Sequence, residues 1–214
     1  KDGKCEVDPN KDCAWEKINA KLVSLTRAAA PDCLVAGDIT TLAAFCDSWD
    51  EGNFDLLVEN YRRQIRGLLD GGADLLVAET LMYPQEAEAI FTAAELEGAG
   101  AAMYTFTMMG DGSLFSGAEA GPILRSLEEA GAAAVGFNCV AMDMMTPYLI
   151  TRLRRYVKGP LICKPNAGMP VIREDGTFTY TPYEGFTGED WFEVVADYGM
   201  AGRSEYGRIT VTVE

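Results

Sequence analysis

The sequence predicts an α/β protein built from repeated strand-then-helix units. Three observations carry that prediction. Five short apolar runs begin at residues 33, 74, 102, 133 and 160, so their starts lie 41, 28, 31 and 27 residues apart, about the length of a βα unit. The runs are continuously apolar rather than alternating, which suits strands buried on both faces of a parallel sheet. The segments between them carry apolar residues at three- and four-residue steps, the period of an amphipathic helix.

Taken in order, Lys17–Ala30 reads as a helix leading into a first strand, Cys33-Leu-Val-Ala-Gly37. In Asn53–Leu69 the residues Val58, Tyr61, Ile65 and Leu68 form an inward stripe while Glu59, Arg62, Arg63 and Arg66 face outward. Asn53 or Asp55 can cap this helix and Gly71-Gly72 can end it. The second strand, Asp74-Leu-Leu-Val-Ala-Glu79, precedes a helix opened by Pro84, with Ala87, Ile90, Phe91 and Ala94 buried. Ala102–Thr107 and Ala133–Asn138 are the third and fourth strands. Helices opened by Pro122 and Pro147 close near Gly131 and Gly159, and Pro160–Lys164 is the fifth strand. Beyond Gly168 the pattern changes to period-two alternation, as in Thr177-Phe-Thr-Tyr-Thr-Pro182 and Arg208-Ile-Thr-Val-Thr-Val-Glu214, which indicates antiparallel strands. The expected division is residues 1–170 and a β-rich extension, 171–214.

Composition narrows the chemistry. The 214 residues hold 33 acidic against 18 basic side chains, a formal charge of −15 that argues against unspecific binding to nucleic acid or anionic lipid. No apolar run approaches the ~20 residues of a membrane-spanning helix. Histidine is absent, which excludes Ser-His-Asp and Cys-His nucleophile systems and every His-ligated metal site. Six irregularly spaced cysteines, at 5, 13, 33, 46, 139 and 163, form no CxxC pair, so free thiols in a reducing, cytoplasmic setting are expected. Neither Gly-x-Gly-x-x-Gly nor Gly-x4-Gly-Lys-Ser/Thr occurs, so a nucleotide-binding sheet lacks its phosphate cradle.

An open doubly wound sheet and a (β/α)8 barrel both place ligands beyond the carboxyl ends of the strands. That rule ranks Asp38, Glu79-Thr80, Thr107, Asn138-Cys139 and Lys164-Pro-Asn166, one polar set per strand. Cys139 ends its run just before a helical segment, where a thiolate would be favoured as nucleophile or soft metal ligand; the plainer reading is an inert buried cysteine. Cys46 falls on the same rim, whereas Cys33 and Cys163 lie within strands and read as core. Glu79 follows the apolar strand residues Leu75–Ala78, so its carboxylate can bind an ammonium group, transfer a proton, or simply cap a helix. Met103, Met108, Met109, Met142, Met144 and Met145 cluster near the rim and read as packing first, a soft ligand wall second. A depressed thiol pKa at Cys139 or Cys46 would instead make a redox domain.

The segments Leu57–Thr80 (Leu-Val-Glu-Asn-Tyr-Arg-Arg through Asp-Leu-Leu-Val-Ala-Glu-Thr), Gly136-Phe-Asn-Cys139 and Lys164-Pro-Asn-Ala-Gly-Met-Pro170 resemble the homocysteine S-methyltransferase domain. This is the zinc-dependent barrel of betaine–homocysteine methyltransferases and cobalamin-dependent methionine synthase. Thr105–Thr107 through Gly110–Gly117 fits the middle of that barrel, and the likeness spans roughly residues 15–172.

The resemblance implies a partial (β/α)8 TIM-type barrel with a β-rich C-terminal extension. Its implied reaction is methyl transfer to the homocysteine thiol, giving methionine, with zinc as cofactor and a methyl donor or corrinoid on a separate module. Cys139 corresponds to the first zinc ligand, Glu79 to the carboxylate that holds the amino-acid end of homocysteine, and Asn138 and Asn166 to the rim motifs.

The sequence also departs from the family. The adjacent cysteines of its Gly-Gly-Cys-Cys zinc motif have no counterpart; the nearest position is Met200-Ala-Gly-Arg-Ser204. Gly37-Asp-Ile-Thr-Thr41 stands where Gly-Pro-Thr is usual, and no glycine-rich opening strands precede Lys1. The alternative is therefore a non-catalytic binding or structural module derived from the barrel. An incomplete barrel leaves open strand edges, so self-association is expected. Asp175–Pro182, Gly185–Asp190 and Ile209–Val213 are similar to half of a bacterial cadherin-like, immunoglobulin-type β module.

Overall fold

The computed structural model describes residues 14–42, 49–140, 147–173, 177–194 and 207–214. Helix α1 (Ala14–Ala29) precedes four βα repeats and a fifth strand: β1 (Ala36–Thr40), α2 (Glu51–Asp70), β2 (Leu75–Leu81), α3 (Pro84–Leu96), β3 (Ala102–Phe106), α4 (Ala120–Ala130), β4 (Ala134–Val140), α5 (Pro147–Arg154) and β5 (Leu161–Pro165). The strands form one sheet in the order β1-β2-β3-β4-β5, every pairing parallel. This order decides between the two architectures. A doubly wound sheet reverses strand order at a switch point; here order follows sequence throughout, as in the wall of a (β/α)8 barrel.

Apolar side chains seal the helices onto this wall. Tyr61 and Ile65 of α2, Ile90 and Ala93 of α3 and Leu124 of α4 are fully buried against Ile39, Leu76, Phe106 and Phe137 of the strands. Gly136 is needed at the centre of β4, because a Cβ there would lie 2.0 Å from the Ile162 carbonyl oxygen on β5. Only a residue without a side chain lets these two strands pair so closely.

Several boundaries differ from the sequence reading. The first strand starts at Ala36, three residues later than Cys33, so Asp38 lies inside the strand rather than after it. Its register is fixed from outside: Asp74 accepts the Val35 N–H at 2.7 Å while Arg27 bridges to the same carboxylate. Cys33 is correspondingly exposed and outside the strand, not core. The cap of α2 is Asp50, whose carboxylate accepts the Asn53 N–H, instead of Asn53 or Asp55. Helix α4 begins two residues before Pro122.

After β5, strands β6 (Gly168–Ile172) and β7 (Phe178–Pro182) form one antiparallel pair, and β8 (Gly188–Val194) and β9 (Gly207–Val213) another. Phe192 joins the two pairs, edge-on to Phe178 at 5.4 Å and stacked on Tyr180 at 6.5 Å, while the Tyr180 hydroxyl donates to Asp190 at 2.7 Å. No helix among the described residues is long and apolar enough to cross a membrane.

Candidate functional site at the carboxyl ends of the strands

Two strands of the wall end in irregularities, and both are where the chemistry gathers. Pairing of β2 with β3 shifts between Ala78 and Leu81, and pairing of β4 with β5 shifts between Asn138 and Val140. Each irregularity contains a non-glycine residue in the left-handed region, Thr80 (φ 61°) and Cys139 (φ 54°). Such bulges re-aim a side chain at the rim of a barrel, and a left-handed Thr or Cys persists only where its surroundings hold it. Cys139 thus sits within β4 rather than after it, and it is the one exposed residue of an otherwise buried strand.

Asn138 holds these pieces together. Its side chain is buried, 3% exposed, and every polar atom on it is used. Oδ1 accepts the Thr80 N–H and the Thr105 hydroxyl, each at 2.9 Å. Nδ2 faces the Thr80 hydroxyl at 2.8 Å, Glu79 Oε2 at 3.3 Å and the Cys139 sulfur at 3.3 Å. One amide therefore orients a carboxylate, a hydroxyl and a thiol together. The Thr80 hydroxyl and the Cys139 sulfur are themselves 3.5 Å apart.

Glu79 also accepts a charged hydrogen bond from Lys164, which reaches it from β5. Asp38 on β1 completes this end of the site. Although its side chain keeps solvent contact, its carboxyl is pushed above its ordinary value, first by partial burial and then by the charge of Glu79. Lys164 pulls it the other way, and a hydrogen bond to Glu79 adds to the rise. Thr107 closes the ring, its hydroxyl donating to the Cys139 carbonyl at 3.4 Å and its N–H to Leu81 at 3.0 Å.

The structure thus brings Glu79, Asn138 and Cys139 into contact, with Asp38, Thr80, Thr107 and Lys164 around them. Asn166 is exposed just beyond β5, tied to β4 by its backbone N–H on the Val140 carbonyl at 2.9 Å. Cys163 is half-buried in β5 and burial pushes its thiol up, which suits packing. Met108 is buried in the core while Met109 is half-exposed. Cys46, Met142, Met144, Met145 and Met200–Ser204 lie outside the described residues.

Two supporting residues escape a sequence reading. Thr105 is a buried polar residue inside an apolar strand run, and that mismatch is its signal. Glu86 is wholly buried in the first turn of α3. One of its oxygens accepts the Thr41 hydroxyl at 2.6 Å and the Leu42 N–H at 2.9 Å; the other accepts the N–H groups of Met82 and Tyr83 at 3.0 and 3.2 Å. It pins the ends of β1 and β2 to the helix. A capping-box spacing with Tyr83 in the cap position was its signal.

Among the described residues no group of three or more His, Cys, Asp or Glu side chains is placed to hold a metal ion. Cys139 offers one thiolate, and a tetrahedral structural or catalytic zinc takes at least three protein ligands. The described residues alone do not fit the ion.

The sequence matches the family described as Homocysteine S-methyltransferase over residues 6–201. The homocysteine S-methyltransferase of Escherichia coli (strain K12) is 31% identical over 144 residues, which cover 63% of this chain and 46% of that protein. The methionine synthase of Mycobacterium tuberculosis (strain ATCC 25618 / H37Rv) is 27% identical over 128 residues, 58% of this chain and 11% of that protein. The chain therefore spans less than half the length of these curated relatives. The metallated form of the homocysteine methyltransferase MmuM from Escherichia coli superposes with a TM-score of 0.62 at 26% identity, covering 72% of this chain and 59% of that one. The parallel sheet is part of a TIM-type barrel, and the chain belongs to the homocysteine S-methyltransferase family.

Proposed function

We propose that this chain holds a homocysteine-type amino-acid thiol at the carboxyl rim of its sheet and serves methyl transfer to the sulfur, giving methionine. The observation that carries the reading is the Asn138 amide, which orients the Glu79 carboxylate and the Cys139 thiol in one place. A substrate with an ammonium group at one end and a sulfur at the other meets a matching pair of groups. Glu79 takes the ammonium end, Asn138 sets its orientation, and Asn166 stands at the rim beside the end of β4. The transfer forms an S–CH3 bond as the methyl leaves its donor, and the thiol proton must depart to expose the nucleophilic lone pair. The donor is a separate methyl carrier, of which a corrinoid module is one.

Zinc enters this reading only through Cys139, which supplies one of the thiolates such a site needs; donors outside the described residues would have to supply the rest. A cytoplasmic, reducing setting accords with the unpaired thiols Cys33, Cys139 and Cys163. The division into a barrel unit, 1–170, and an extension, 171–214, falls within β6 (Gly168–Ile172); the pairing changes slightly earlier, after β5, since the strands of the five-stranded sheet bond only to one another and β6 bonds to β7. Self-association is supported by Ile18, Leu22 and Leu25 along one face of α1 and by Leu34 beside β1, all more than half exposed.

Titration calorimetry with homocysteine under reducing conditions tests the proposal, alongside zinc analysis of the purified chain. Saturable binding that weakens about tenfold or more in Glu79→Gln supports it, a loss of about 1.4 kcal/mol. Zinc retained by the chain and lost in Cys139→Ser supports the metal role. No binding, with no zinc held, establishes instead the non-catalytic module.

A further inference from the structure

Helices α3 and α4 are neighbours in the layer that covers the sheet, yet they barely touch, whereas α2 packs closely on α3. The facing positions explain the gap, for they are small on both sides: Ala87 and Thr92 on α3, Ser126 and Ala130 on α4. A groove of about 520 Å3 with chiefly apolar walls runs between the two helices. Sites that enclose small molecules measure about 300–1,000 Å3. At one end the groove meets a smaller space of about 110 Å3, between the C-terminal ends of both helices and the start of β3, and Phe91 and Ala130 line both.

Tyr104 of β3 lines the smaller space. Its neighbour Thr105 donates to Asn138 and so faces the candidate site; alternation along the strand turns Tyr104 the opposite way, into the helix layer. There its side chain is 1% exposed, its ring centre lies 6.4 Å from that of Phe91, and its hydroxyl is buried with no hydrogen-bond partner among the described residues. Buried polar groups are nearly always paired, so an orphan at the end of a groove calls for an account. Burial, with a smaller push from Glu95, raises its pKa, so the hydroxyl stays protonated and is ready to donate. Glu88 and Glu95 stand exposed along the α3 side of the groove.

We propose that this groove binds a slender, neutral and largely apolar molecule ending in a hydrogen-bond acceptor, a ketone, ester or amide, to which the Tyr104 hydroxyl donates. The walls take the apolar chain, and Phe91, half-buried at the junction of the two spaces, moves aside for the acceptor end. A protein helix is about 10–12 Å across, too wide for the space beside Tyr104, so the occupant is a small molecule and not a docked segment. Glu88 and Glu95 add negative charge at the lip of a chain whose net charge is already −15, which works against a carboxylate-ended ligand of the same length. The groove lies across β3 from Asn138, so this site is separate from the one that takes the amino-acid thiol.

Calorimetry with 2-octanone and with octanoate, on the unmodified chain and on Tyr104→Phe, Ala130→Trp and Leu22→Lys, tests this. 2-Octanone is expected to bind saturably at one site, about tenfold or more tighter than octanoate. Tyr104→Phe removes only the hydroxyl and is expected to weaken the ketone about fivefold or more. Ala130→Trp, at an exposed position of α4, fills the junction and is expected to abolish binding. Leu22→Lys, on the exposed apolar stripe of α1, should leave it unchanged. No saturable binding of 2-octanone to the unmodified chain overturns the inference. So does binding that Tyr104→Phe or Ala130→Trp leaves unchanged, octanoate binding as tightly as the ketone, or loss of binding in Leu22→Lys.

Discussion

The Thr80 hydroxyl lies 3.5 Å from the Cys139 sulfur although 59 residues separate them in the chain, and both residues have left-handed backbones. The coincidence has a common cause. Each sits in the bulge that ends its strand, and Asn138 bonds to both, so one amide maintains two unfavourable conformations.

Removing the side chain at one of these positions should separate stability from function. A left-handed non-glycine residue costs ~1–2 kcal/mol, offset in part by the extra unfolded-state entropy of glycine. Cys139→Gly should therefore gain about 0.5 kcal/mol in urea denaturation while losing whatever thiolate-to-metal absorption Cys139 contributes on cobalt titration. A variant less stable than the parent chain would show that the Cys139 conformation carries no strain.

Glu86 makes the opposite case. Its carboxylate satisfies donors from the loop after β1 and from the turn before α3 with no exposure to water. Glu86→Ala leaves these donors buried and unpaired, so a loss of about 3 kcal/mol or more is expected from urea midpoints. Glu86→Gln should move the same way by less, since one acceptor becomes a donor facing N–H groups.

Asp38 gives a pH signature. The folded chain holds its proton more tightly than the unfolded chain, so its contribution to stability is fully present below 3.8 and is lost as pH rises through the higher folded value. Asp38→Asn should accordingly be more stable than the parent at about pH 7, with the difference fading by about pH 3. Urea midpoints at the two pH values check this; a gain that persists at the acid end would assign it to something other than proton binding.

At Gly136 the constraint is steric. With only 2.0 Å between the place a methyl group would occupy and a carbonyl oxygen of β5, Gly136→Ala must part the β4–β5 ladder. A loss of about 3 kcal/mol, at the upper end for overpacking, is expected in thermal or urea unfolding. Unchanged hydrogen-exchange protection in β4 and β5 would contradict it.

What the sequence disclosed, and what it hid, follows from range. Apolar runs and helix periods are local, so all five parallel strands and their helices were legible, and the strand-end rule singled out Asp38, Glu79, Asn138, Cys139 and Lys164 together. The start of β1 was not legible, because Cys33 and Leu34 look like strand residues and only the distant Asp74 and Arg27 fix where pairing begins. The bulge at Cys139 was hidden too, since no glycine marks it. Glu86 reads as a surface residue of a helical first turn until the loop after β1 folds over it.

Asp38, Glu79, Asn138 and Lys164 all issue from strands, not from the connections above them. The polar cluster is therefore written into the wall of the protein, and the loops above it can be exchanged without displacing any of these four side chains.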